Sequence, residues 1–491
     1  MGLKPSRREF LTAVTVGGAI GLVAAGCGSQ AARSAAPAAE VAPGLVSPGC
    51  RKSKVKVAKV YLGRPKAHWP MPAMDLQEEM GRYEAEFARM GKDFADVEFV
   101  TSALVTKPDE AAALKERLQA ADGVLAIHLS MGIMGMLPPI LAVGRPTILF
   151  AAPYSGHEWT GFGNLCRQKE GAMLECLLTD DYGELAEAVR PFRAIHHLRE
   201  AKIVNVTTRD FSRYAKACKA KFGTDIVQVG KERLIALYEA VPDAEAEAET
   251  RRWVAGARMI VEPSRVEIFK SCKLALAMHR LLDEEEATMI TVDCYGSMWR
   301  QLPAYPCIGH ARLNNMGLGG MCESDLESAM TQVLFQGLAG KPGFVNDPTM
   351  DCSDNAIILA HCMGTPRMDG LQGKVSPYHI RTIMERQEGA VCQVFMEVGR
   401  KATTARLIGT ETVNYFTGDI IEAPDLPRGC RTKIKVKVDG DAQVLWQNWA
   451  HGLHRVTCYG DVTKDLLRFC KFAGVTMVNE AMSRPAEVPK A

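Results

Sequence analysis

The chain has 491 residues, 24% of them charged and 47% hydrophobic, which excludes disorder, a collagen-like array or a coiled coil as a description of the whole. Lys plus Arg number 59 against 57 for Asp plus Glu, giving a net charge of +2. No basic or acidic block stands out locally, so nucleic acid is excluded as an expected partner. At roughly 100–200 residues per domain the length predicts two to four domains, each able to bury its own core.

The N-terminus reads as an address. Ser6-Arg7-Arg8-Glu9-Phe10-Leu11 precedes a mildly apolar run from Thr12 to Gly26, too short and glycine-rich for a good spanning helix. Paired arginines before Phe-Leu and a weakly hydrophobic stretch form the pattern of a twin-arginine export signal. Ala24-Ala25-Gly26-Cys27 resembles a lipobox, with Ala24 where Leu is usual. Residues 1–27 are thus expected to be a signal ending at a lipidated cysteine, and the Ala-, Pro- and Ser-rich stretch 28–50 a flexible tether. The expected location is periplasmic, or membrane-anchored and facing outward, in a bacterium. Of the 15 cysteines, those after Cys27 are scattered without a CxxC pair. That spread predicts small buried thiols, with neither a disulfide framework nor a thiolate zinc site.

From Val55 strands and helices alternate. VKVAKVYLG (55–63) is a buried-strand run, followed by helical spacing from Asp75 to Met90. VEFVTS (97–102), a helix over 109–121, GVLAIHL (123–129) and PTILFAAP (146–153) continue the pattern. A second round runs from KIVNVTT (202–208) through DIVQVG (225–230), helices near 211–221, 243–256 and 264–282, and TMITVDCY (288–295). Continuous apolar strands alternating with helices predict two Rossmann-like parallel-sheet domains, 51–197 and 198–378. The last third, 379–491, is predicted to be β-rich and barrel-like. VCQVFMEVG, TTARLIGTE, KIKVKVDG and HRVTCYGD are strand-like runs separated by turn signals, and KIKVKV alternates like an antiparallel strand wet on one face.

Three features bear on chemistry. In Gly317-Leu-Gly-Gly-Met-Cys-Glu323-Ser-Asp325-Leu-Glu327, Ser324 and Glu327 read as a capping box, starting a helix at Ser324. Glu323 would then project just ahead of a helix N-terminus, where the dipole favours an ionised carboxylate. The glycines are no dinucleotide fingerprint, since Cys322 replaces the third and no strand is read leading into them. Asp347 ends the run GFVND, and a strand-like return after the helix brings it back near Glu323. Two such acids can hold a divalent cation or divide acid and base roles, capping and turn acids being the plainer reading. His361 ends the buried strand AIILA, where parallel-sheet sites are normally built. His451 and His454, at i and i+3 before a strand, could serve a metal.

The stretch CESDLESAMTQVLFQGLAGKPGFVNDPTMDCSDNAIILAHC, with PCIGHARLNNMG upstream, resembles the metal-binding core of the L-fucose isomerase and L-arabinose isomerase superfamily. The resemblance is good over 285–365 and loose over the rest of the mature chain, and the domain order agrees with it. It implies Glu323 and Asp347 as metal ligands and acid/base pair, and His454 as the distal ligand with His451 as its rival. It further implies His361 as an additional histidine ligand. The implied activity is a metal-dependent aldose–ketose isomerisation of a sugar through an enediol, with a divalent metal, Mn²⁺, as Lewis acid. A homo-oligomer, trimer or hexamer, is implied too. Trp299, Arg300 and Arg312 are candidate substrate contacts by position. The alternatives are an epimerase, lyase or hydrolase on the same fold, a lipid-anchored sugar- or solute-binding protein, and a scaffold that has lost its reaction.

Overall fold

In the computed structural model, residues 41–482 are described; the twin-arginine and lipobox features and the first part of the tether lie outside them. Five strands, β1 (Val55–Leu62), β2 (Val97–Val105), β3 (Gly123–His128), β4 (Thr147–Ala151) and β5 (Leu174–Leu178), form a parallel sheet in the order β2-β1-β3-β4-β5. Successive side chains of a strand point to opposite faces. Val57 and Tyr61 of β1 accordingly pack with Leu125, Ile127, Phe150 and the helix residues Tyr83 and Phe87. Ala58, Val60 and Leu62 pack on the other face with Ala126, Leu149, Leu118 and Ile140. Helices cover both faces, so the strands must be apolar throughout. The helix expected after β1 forms over Leu76–Arg89, capped by the Asp75 carboxylate on the amides of Gln77 and Glu78. The one expected over 109–121 breaks at Leu114 into two short helices.

The next strands are β6 (Lys202–Val206), β7 (Asp225–Val229), β8 (Met259–Ile260), β9 (Met289–Val292) and β10 (Gly319–Cys322). All but β8 form a second parallel sheet, ordered β10-β9-β6-β7. No strand leads into the glycines, which follow the helix Cys307–Asn315 and a turn, but Gly319 and Gly320 themselves belong to β10, which the sequence reading did not expect. Its glycines argue against a strand by propensity, yet packing requires them. A Cβ at Gly319 would lie 2.2 Å from Met289 Cε, and one at Gly320 would lie 2.4 Å from His310 Cα.

The remaining strands are β11 (Phe344–Asp351), β12 (Ala356–His361), β13 (Tyr378–Arg381), β14 (Val391–Val394), β15 (Lys401–Ile408), β16 (Thr412–Glu422), β17 (Thr432–Val438), β18 (Arg455–Tyr459) and β19 (Thr476–Asn479). Six of them run in the order β15-β18-β11-β12-β17-β16, and β15 pairs again with β16, closing an antiparallel barrel. β19 adds to β16, while β13, β14 and β8 make a small separate sheet. The fold is thus α/β, two parallel sheets followed by an antiparallel barrel. Two points of the sequence reading are corrected. The barrel takes β11 and β12 from within 198–378, so a boundary at 378 would cut its sheet. And β12 pairs antiparallel on both sides, so His361 does not end a parallel strand.

One helix, Leu326–Ala339, carries the chain from β10 to the barrel, buried over nearly its whole length. Gly337 lets it press against the helix Arg190–Glu200, since a Cβ there would lie 2.5 Å from Ala194 Cα. Among the described residues no helix is long and apolar enough to cross a membrane.

Candidate metal and active site

Glu323 leaves β10 in a left-handed conformation, φ 65°, and Ser324 follows at φ 53°. Each costs a non-glycine residue of order 1–3 kcal/mol and persists only where the surroundings demand it. The demand is visible here. The Ser324 hydroxyl donates to Asn205 Oδ1 at 2.6 Å, and Arg209 donates to the Glu323 carbonyl at 3.2 Å. The expected capping box at Ser324 does not form. The cap is Asp325, which accepts from the Ser328 amide at 3.0 Å, while Glu327 accepts from the Gly409 amide and Arg406. Sequence spacing could not separate two candidate caps one residue apart.

Strand register assembles the rest. Asp347 lies within β11 opposite Ala360 of β12, one residue before His361. Asn346 pairs with Arg455 of β18, which sets His454 beside Asp347. Three adjacent barrel strands therefore deliver Asp347, His361 and His454 to one rim, against Glu323 from the parallel sheet. His454 Nε2 lies 3.3 Å from Asp347 Oδ1 and 3.7 Å from Glu323 Oε2, and His361 Nε2 lies 3.7 Å from Glu323 Oε1. One ligand atom each from Glu323, His361 and His454 fits within a mutual 4.8 Å.

His454 is aimed from behind. Its Nδ1–H donates to Asp325 Oδ2 at 2.9 Å, and Arg406 holds that carboxylate with contacts of 2.7 and 3.1 Å. A carboxylate behind an imidazole fixes the tautomer and turns Nε2 toward the ion. Burial would lower the His454 pKa, but its hydrogen bonds to Asp325 and Asp347 prevail and raise it to about 10. Burial lifts Glu323 above the ordinary carboxylate value and the nearby Asp347, Asp325 and Asp293 add to this, against His454. The expected helix-dipole effect is outweighed. Burial also pushes Asp347 up, yet the His454 hydrogen bond and both imidazole charges hold it below its usual range. Burial and the charge of His454 lower His361 to about 4.

These residues fit a divalent ion. Glu323, Asp325, Asp347, Asp293 and Glu327 share the site with two guanidiniums, Arg209 on Asp293 and Arg406 on Asp325 and Glu327. Negative charge is in excess. Asp347 Oδ1 is buried with only the His454 imidazole beside it, at 3.3 Å, and His361 Nδ1 is buried without a hydrogen-bond partner among the described residues. Two carboxylates and two imidazoles suit a hard to borderline divalent ion. Beside them opens a cavity of about 390 Å³ lined by Arg209, Phe211, Tyr214, Glu323, Asp325 and His454, within the size range of small-ligand sites.

The other candidates fall elsewhere. His451 is exposed and offers only its carbonyl to Arg455, so His454 is the histidine that faces the acids. Arg312 is buried against Glu249 at 3.1 Å and His279 at 3.1 Å, neither belonging to the cluster. Trp299 packs tilted against Tyr295 and edge-on against Tyr305, Arg386 covers its ring at 3.8 Å, and Arg300 reaches Glu388 at 3.5 Å. The Tyr295 hydroxyl of this aromatic group lies 3.9 Å from the sulfur of Cys362, the residue after His361. Sequence reasoning missed Asp325, Arg406, Arg209 and Asp293. Asp293 had a usable signal, since it follows β9 directly, where parallel-sheet sites are built. Arg406 had none, because only barrel closure brings it to Asp325.

No protein-family model matches the chain. Over 205 residues it is 24% identical to a sulfoquinovose isomerase of Alkalicoccus urumqiensis, covering 39% of this chain and 44% of that protein. The chain thus spans less than half the length of this relative. The likeness is distant, and it is to a sugar isomerase, loosely consistent with the sugar-isomerase resemblance of residues 285–365.

Proposed function

We propose that this protein is a metal-dependent aldose–ketose isomerase, similar to the L-fucose and L-arabinose isomerases, that acts on a sugar outside the cytoplasm after export by the twin-arginine route. The observation that carries the reading is the convergence of Glu323, Asp347, His361 and His454, with an unpartnered imidazole nitrogen, beside a sugar-sized cavity. Glu323, Asp347, His454 and His361 would hold the ion, Mn²⁺ by the resemblance. When bound it acts as a Lewis acid that polarises neighbouring sugar oxygens. The protein's own groups move the proton. One of the two carboxylates takes it from C2 of an open-chain aldose and the enediol is reprotonated at C1, Glu323 and Asp347 facing each other across the site. Asp325 and Arg406 position His454, and Arg209 and Phe211 line the approach. A homo-oligomer and an N-terminal lipid belong to the same proposal. A passive sugar receptor would have little use for buried acids in excess beside an open cavity.

The full chain, purified without added ions, is expected to carry about one tightly bound divalent ion at this site. Glu323→Gln and Asp347→Asn should each lose it. Interconversion of sulfoquinovose, fucose and arabinose with their ketoses, followed by NMR, then tests the reaction. No ion in wild type, and none taken up on adding Mn²⁺, would sink the reading.

A further inference from the structure

Cys362 immediately follows His361 at the end of β12, and Cys430 lies just ahead of β17, the strand paired with β12 through His361 and Thr432. Two neighbouring strand ends therefore present thiols to one point. Glu385, on the loop between β13 and β14, completes a group whose ligand atoms all lie within 4.8 Å of one another. The Cys430 sulfur is 3.3 Å from Glu385 Oε1 and 4.0 Å from Asp347 Oδ2.

These groups are negative or become so on losing a proton, and nearby cations are turned away from them. Arg386 stacks over Trp299 and Tyr295, Arg431 donates to Thr382 and faces Glu262, and Lys433 donates to the Leu426 carbonyl. The Tyr295 hydroxyl donates to Glu385 Oε2 at 3.2 Å, holding the carboxylate from outside as the partners of metal ligands do. Around a tetrahedral zinc ion with Zn–S of about 2.3 Å and Zn–O of about 2.1 Å, neighbouring donor atoms stand about 3.6–3.8 Å apart. The observed separations need only small side-chain adjustments to meet that spacing.

We infer that Cys362, Cys430 and Glu385 form a second metal site, for a thiophilic divalent ion of the zinc class. Asp347 Oδ2, 4.0 Å from the Cys430 sulfur, offers a further donor. Thiolates select soft and borderline ions, whereas the oxygen and imidazole set around Glu323 suits harder ones. The two sites meet at Asp347, whose Oδ1 faces His454 and whose Oδ2 faces Cys430. Cys430 is half-buried and Glu385 exposed, which leaves a path for the ion to enter. The inference stands apart from the isomerase reading, because Cys362, Cys430 and Glu385 take no part in that reading and the ion differs.

The test uses Co²⁺ as probe on the full chain, stripped of metal with a chelator and kept reduced without air. Wild type is expected to show a thiolate-to-cobalt charge-transfer band in the near ultraviolet, saturating at one ion. Cys430→Ser and Cys362→Ser should abolish the band, and Glu385→Gln should weaken cobalt binding at least 10-fold. Glu323→Gln should keep the band, so loss of the first site and loss of this one are told apart. Melting temperatures check that each variant is folded. Should a serine variant fail to fold, Glu385→Gln decides alone. A wild type with free thiols and no band, a band that survives in folded serine variants or is unweakened in Glu385→Gln, or a Cys362–Cys430 disulfide would each overturn the inference.

Discussion

His128 and His361 both end a strand, at β3 of the first parallel sheet and β12 of the barrel, yet their surroundings are opposite. His128 is fully engaged. Its Nε2 meets Glu158 at 3.1 Å, its Nδ1 meets the Ser155 hydroxyl at 3.0 Å, and Gly156 packs so close that a Cβ there would touch the ring. Glu158 is itself tied to the Gly132 amide at 3.0 Å. His361 is as deeply buried but leaves Nδ1 unpartnered and turns Nε2 toward Glu323 beside a cavity. The first histidine closes a structure, whereas the second leaves bonding capacity open. Unsatisfied polar groups, costly to bury, mark where chemistry belongs.

Substitutions can break that contrast. The largest effect is expected for Asp347→Asn, which should lower turnover by about 10²–10⁴-fold with little change in melting temperature. Next, Glu480→Gln should destabilise the barrel by about 3–5 kcal/mol in chemical denaturation. Arg455 and Glu480 are both fully buried and joined at 2.7 and 3.0 Å, and removing one charge strands the other. Asp325→Asn should weaken metal binding about 10–100-fold in a chelator competition by loosening the His454 ring. Glu158→Gln, the matching change at the closed histidine, should cost about 1–3 kcal/mol of stability and leave bound metal unaltered.

A further expected effect is a pH dependence at the base of the first sheet. Burial would raise Asp122, but His196, Arg199 and the Lys56 amide hold it at about 2; burial would lower His196, but Asp122 raises it to about 10. The histidine's contribution is complete below its ordinary 6.5 and is lost as pH rises through about 10. The aspartate's is complete above its ordinary 3.8 and is lost as pH falls through about 2. Melting temperature should therefore decline from pH 6.5 towards 10 by an amount that Asp122→Asn removes.

Apolar runs made the fold legible. β1, β3, β4, β6 and β9 are buried almost throughout, and period alone locates them. β10 was hidden by glycines that only the close approach of Met289 and His310 explains, and β5 by its mixed burial. Within the site, Glu323 and Asp347 could be paired because one helix separates them, and His361 and His454 because each adjoins a readable strand. Asp325, Arg406 and the Cys362–Cys430 pair were not legible. Their partnership depends on barrel register and closure, which local patterns do not encode.

The buried helix Leu326–Ala339 carries a consequence for how such a chain can vary over time. It fixes the separation between the Glu323 turn and the strand of Asp347, and its side chains are enclosed on nearly every side. Deleting or inserting one residue within it would rotate everything beyond by about 100°. Asp347 would be carried out of line with Glu323, and Gly337 away from Ala194. Length changes among descendants of this sequence should therefore gather in the exposed loops and spare residues 323–347 entirely.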